Sequence, residues 1–221
     1  MGETLLHYAG KVMSEEKRTM QKSRLEAFSD GVLAIILTIM VLELKPPHGS
    51  SWAEIAPLLP TLSSYVLSFV FIAIYWVNHH HMFQLCSRVT GSILWANIHL
   101  LFWLSLVPFV TNWLADNQFN SVSTSIYGLV LMMCGVAYFL CQESIIRSQG
   151  EHSKLKAAVG GDWKGKVSVG SYLVSVGLAW ISPAAAVSIF VIIALLWLVS
   201  DRRIERVFHQ DHASQPGESD R

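Results

Sequence analysis

The sequence predicts an all-α membrane protein with six transmembrane helices per subunit, on three observations. Of 221 residues, 52% are hydrophobic and only 14% charged, where a soluble domain carries about 25% charged residues. Six stretches come near the roughly 20 apolar residues that cross about 30 Å of hydrocarbon. The basic residues between those stretches fall almost entirely on one side.

The stretches are Arg24 to Leu44, Leu58 to Asn78, Ser92 to Trp113, Val122 to Gln142, Trp163 to Ile181 and Pro183 to Ser200. The fifth is apolar only from Val167, so Lys164 and Lys166 must snorkel to the interface. Ile181-Ser182-Pro183 predicts a tight turn before the sixth, because proline cannot continue the preceding hydrogen-bond ladder.

Cytoplasmic loops retain lysine and arginine. Lys11, Lys17, Arg18, Lys22 and Arg24 precede or open the first stretch. Arg88 lies in the second loop, Arg147, Lys154, Lys156, Lys164 and Lys166 in or beside the fourth, and Arg202, Arg203, Arg206 and Arg221 follow the sixth. Only Lys45 falls on the other side, where Pro46-Pro47-His48-Gly49, Asp116-Asn117 and Ser182-Pro183 are turn signals. An even span count then puts both termini in the cytoplasm of a multi-pass cell-membrane protein. Trp52, Trp95, Trp113, Trp163 and Trp180 sit near span ends, as interface anchors do.

Residues 1–23 hold no apolar run long enough for a signal-peptide core and are expected to be a cytoplasmic lead-in. Residues 24–200 form the membrane domain, and 201–221 a charged cytoplasmic tail expected to be partly disordered. Sixteen basic residues balance sixteen acidic ones, which gives no footprint for nucleic acid. Cys86, Cys134 and Cys141 have neither disulfide-framework nor metal-ligand spacing. His79-His80-His81 does not predict a metal site, since adjacent helical positions point about 100° apart. No nucleophile stands beside a base in a recognisable spacing, so an enzyme is not expected.

The first stretch carries the unusual chemistry. It opens Arg24-Leu25-Glu26-Ala27-Phe28-Ser29-Asp30-Gly31 and continues apolar to Leu42. Charged groups at such depth cost several kcal/mol, roughly 2.5–3.5 on insertion scales, unless paired or wet. At about 100° per residue from Asp30, Arg24, Phe28, Ile35, Ile39 and Leu42 share an arc between about 120° and 180°, with Thr38 on its flank. Ser29 and Asp30 point elsewhere, toward partners that must offer hydrogen bonds. Trp76, Asn78, His79 and His80 at the end of the second stretch and Asn97 and His99 early in the third lie at the same depth and can supply them.

The run Arg24-x-x-x-Phe28-Ser29-Asp30 resembles the hallmark of the transmembrane protein 175 family of potassium channels. Trp76-x-x-His79-His80-x-x-Phe83, Asn97 and Pro108-Phe109 are similar to further family positions, so the resemblance covers the first half of the chain. Beyond residue 120 it rests on span count and topology. The resemblance implies a potassium channel, modestly selective over sodium, whose pore is lined by the first helices around a central axis. A ring of Ile35 side chains would be its narrowest point, with Thr38, Ile39 and Leu42 as further lining residues. Arg24, Phe28, Ser29, Asp30, Trp76, His79, His80 and Asn97 would form the signature and its structural network. A single copy of the motif implies a prokaryotic homotetramer. No cofactor is expected beyond potassium ions in the pore, and the partners are the lipid bilayer, monovalent cations and other copies of the chain.

Other readings remain open at the level of residues. The Ile/Leu arc could be an ordinary packing face, as every membrane helix has one. Glu43 could concentrate cations at the outer mouth, with Lys45 partly cancelling it. Arg24 could pair with Glu26 or a neighbouring subunit, or anchor the helix by snorkelling. A proton-coupled secondary transporter using Asp30 with His79 or His99 is the rival function, since intramembrane acids often form relays.

Overall fold

The computed structural model describes residues 2–47, 49 and 51–198, and every element in them is helical. The predicted tail at 201–221 lies outside the described residues. Helix α1 spans Gly2–Leu42, α2 Leu59–Gln84, α3 Gly91–Ser105, α4 Val107–Asp116, α5 Ser121–Gln149, α6 Lys154–Val159, α7 Trp163–Leu178 and α8 Pro183–Leu198. Two single 3-10 turns, Trp52–Glu54 and Ala56–Leu58, lead into α2.

Among the described residues, four stretches are long and apolar enough to cross a membrane: Thr19–Leu42, Trp52–Gln84, Gly91–Asp116 and Ser121–Gln149. Helices α7 and α8 are each 16 residues long in the described chain, about 24 Å at 1.5 Å per residue.

The elements begin and end for local reasons. Thr90 caps α3, its hydroxyl accepting from the Ile93 amide, and Asn120 caps α5 by accepting from Ser123 N. The third apolar stretch is two helices joined at Leu106, because Pro108 has no amide to give the Leu104 carbonyl. Pro183 opens α8 at the first helical position, where its missing amide costs nothing. Helix α6, between the fourth and fifth stretches, has no counterpart in the sequence reading. At the start of the chain α1 is helical from Gly2, so it is about 60 Å long.

Between apolar helices in lipid, association rests on close packing and interhelical hydrogen bonds. The main core gathers Leu33, Ile36 and Met40 of α1 with residues of α2, α3, α4, α5, α7 and α8, including Ile72, Leu100, Leu131 and Phe190. A chain of hydroxyls crosses it: Tyr127 lies 2.9 Å from Ser68, Ser68 2.6 Å from Thr111, and Thr111 ends 2.7 Å from the Val107 carbonyl. A second cluster at the other end holds Leu25, Met82, Phe83, Ile93 and Ile145.

Candidate pore helix and its anchoring network

Helix α1 has two faces. Leu25, Ser29, Leu33, Ile36 and Met40 are buried, all at 6% exposure or less, and they recur at the three- and four-residue steps of one helical face. The opposite face is uncovered by its own chain: Phe28 is 56% exposed, Ile35 60%, Ile39 43% and Leu42 76%. Arg24 and Thr38 are exposed on the same side. Thr38 donates its hydroxyl to the Ala34 carbonyl at 2.8 Å, which leaves the oxygen lone pairs facing outward.

Polar contacts fix the buried face in rotation and height. Ser29 donates back to the Leu25 carbonyl at 2.9 Å and accepts from Asn97 Nδ2 of α3 at 2.9 Å. The Asn97 Oδ1 lies 2.7 Å from His79 Nε2 of α2. Because Asn97 gives its amide to Ser29, its carbonyl accepts, so the imidazole carries its proton on Nε2. Ser29 and Asn97 have no exposed surface and His79 is 3% exposed, so the three-helix chain is dry and each member is paired. Beside it, Trp76 Nε1 donates to Asp30 Oδ1 at 3.0 Å, on the exposed flank of α1. Near the start of the motif, Lys22 donates to the Gln84 carbonyl at the C-terminus of α2, at 3.1 Å.

Not every nearby polar residue joins the network. His80 lies 2.7 Å from Gln84 Nε2 and stacks on the Trp76 ring at 6.2 Å between centroids. Asn78 donates to the Ile74 carbonyl, and His99 accepts from Trp103 Nε1 one turn on. Neither His79 nor His99 is hydrogen-bonded to Asp30. Arg24 and Glu26 form no ion pair. At the far end of α1, Glu43 accepts from Asn112 Nδ2 of α4 at 3.3 Å, a partner that the sequence reading did not identify. Among the described residues no group of three or more His, Cys, Asp or Glu could hold a metal ion.

These features define a polytopic helical membrane protein whose first helix is anchored on one side by a polar chain and presents a continuous apolar stripe on the other. The sequence profile described as "Endosomal/lysosomal potassium channel TMEM175" matches residues 24–108, the segment that holds Ser29, Asp30, Trp76, His79 and Asn97. A Chryseobacterium protein described as a potassium channel is 50% identical over 85% of this chain and 97% of its own length. The crystal structure of a lysosomal potassium-selective channel TMEM175 homolog from Chamaesiphon minutus is similar, with a TM-score of 0.72 at 27% identity over 82% of this chain and 98% of that one. The chicken protein described as an endosomal/lysosomal proton channel TMEM175 is 27% identical over 54% of this chain and 26% of its own length. The chain belongs to the TMEM175 family, which is a family of ion channels and not of enzymes.

Proposed function

We propose that the chain is one subunit of a homotetrameric potassium channel in a cell membrane, with six spans per subunit and both termini cytoplasmic. The observation that carries this reading is the uncovered stripe Phe28, Ile35, Ile39 and Leu42 on a helix otherwise locked into its own subunit. Four copies of that surface around an axis enclose a path. Ile35 forms its constriction, Thr38 follows outward with a hydroxyl, and Ile39 and Leu42 line the rest.

The chain has no Thr-Val-Gly-Tyr-Gly segment, so the carbonyl-lined filter of better-known potassium channels is not the basis of selection. A ring of aliphatic side chains closes a pore by expelling water. When widened it passes ions with partly stripped hydration shells, which favours potassium over the more strongly hydrated sodium and gives modest selectivity. The four Thr38 oxygens replace part of the lost water. Glu43, held by Asn112, adds negative charge near the outer mouth. The resident ligands are potassium ions, and no cofactor takes part.

The test is electrical. Purified protein in liposomes under a potassium gradient should carry a flux whose reversal potential moves toward the potassium equilibrium potential. Ile35→Ala and Ile35→Asn should enlarge the leak and weaken selectivity, and an unchanged flux in both would remove Ile35 from the constriction. The description of vertebrate relatives as proton channels gives a second reading, transport of protons through Asp30. It predicts that Asp30→Asn yields a folded protein without proton flux, whereas the potassium-channel reading predicts weakened assembly and currents indifferent to a proton gradient.

A further inference from the structure

Behind the anchoring network, α2, α5, α7 and α8 do not close on one another. They leave a cavity of about 40 Å³ lined by Phe71, Tyr75, Tyr138, Ser168, Tyr172 and Trp197. A second crevice of about 30 Å³ shares Asn78, Tyr138 and Trp197 with it and runs to Gln142, Asp162 and Lys164 beside α6. The crevice thus lies next to the cavity, on the side of the polar α6–α7 turn.

The lining is apolar in area but not in chemistry. Tyr172 is 3% exposed, yet its hydroxyl has no hydrogen-bond partner among the described residues. The Tyr75 hydroxyl has none either, and its ring meets Tyr138 edge-on at 6.1 Å. Asn78 gives its amide nitrogen to the Ile74 carbonyl, and its side-chain oxygen has no hydrogen-bond partner among the described residues. By contrast, the equally buried Tyr127 hydroxyl is held by Ser68 at 2.9 Å, and the fully enclosed side-chain polar atom without a partner among the described residues is Thr124 Oγ1, away from this cavity. Burying an unpaired hydroxyl is costly, and the cavity is where the compensation can sit.

Size decides what fills it. An apolar cavity that binds benzene measures about 150 Å³, well above the room here. One water needs about 10–15 Å³ and two to four polar partners. We propose that the cavity is an internal hydration site for about three waters, which enter along the Asp162 crevice and complete the hydrogen bonding of Tyr75, Tyr172 and Asn78. The site lies along α2 immediately before each network residue, Tyr75 before Trp76 and Asn78 before His79. At the level where α2 grips α1 and α3, its other side therefore rests on water. This site stands independently of conduction.

Hydroxyl-radical footprinting by X-ray radiolysis of the full-length protein in lipid nanodiscs tests it, because radicals form from water in place and modify adjacent rings. Tyr75 and Tyr172 should be hydroxylated several-fold faster than Tyr127, which is buried away from the cavity. Tyr172→Phe, which removes one anchor, should slow labelling at Tyr75. Rates at Tyr75 and Tyr172 no higher than at Tyr127, or a Tyr75 rate indifferent to Tyr172→Phe, would overturn the site. So would a high-resolution map with acyl-chain density in the cavity instead of discrete peaks beside the two hydroxyls.

Discussion

Asn97 ties α1 to both α2 and α3, giving its amide to Ser29 and its carbonyl to His79. Interhelical polar contacts in membrane bundles are worth about 1–2 kcal/mol. Asn97→Leu should therefore lower stability by roughly that amount and loosen the proposed tetramer, read as the apparent Tm and as the oligomer fraction on sizing. Trp76→Phe removes a single bond to the exposed Asp30 and should cost about 1 kcal/mol or less. Cys86 gives a chemical check outside the spans. Burial pushes its thiol up from the ordinary value, with a backbone hydrogen bond at Arg88 and the nearby Lys22 acting the other way. The thiolate is the reactive form, so maleimide labelling at neutral pH should be slow in the native protein. It should accelerate only as pH rises past the ordinary thiol range, or on unfolding.

At the scale of elements, the sequence shows where membrane helices lie more plainly than how they are rotated. Ser29, Asp30, Trp76, His79 and Asn97 stand out as polar groups in apolar runs, and the structure joins them in three hydrogen bonds, the Ser29–Asn97–His79 chain and the Trp76–Asp30 contact beside it. Asn78, His80 and His99 carry the same signal but find partners about one turn away on their own helices, a distinction that depends on helix rotation. The Glu43–Asn112 bond spans 69 positions and has no local signature. The bend at Leu106 did have one, since Pro108 interrupts the third apolar run, while α6 is too short to produce a clear period. Helix packing also yields a test. A Cβ built on Gly128 of α5 would lie 3.0 Å from the Phe190 ring of α8, whereas Gly170 of α7 has nothing within 4 Å. Gly128→Ala should destabilise by about 1–3 kcal/mol through overpacking and Gly170→Ala should not, as judged by thermal unfolding in detergent.

For the whole molecule, the decisive property is that one chain leaves uncovered an apolar stripe on the helix whose other face it anchors. Leu33, Ile36 and Met40 are buried in the subunit, while Ile35, Ile39 and Leu42, a residue or two away, are exposed. The anchoring chain through Ser29, Asn97 and His79 holds that division in place, so the stripe must meet lipid, another copy, or water and ions. Thiol chemistry separates these directly, because the native Cys86, Cys134 and Cys141 are all buried and give little background. The measurement is the potassium current of Leu42→Cys before and after a positively charged methanethiosulfonate reagent applied from the outer side. A path lined by α1 predicts rapid block that a reducing agent reverses, with no block in the unsubstituted protein. A modified Leu42→Cys channel whose current is unchanged would contradict it.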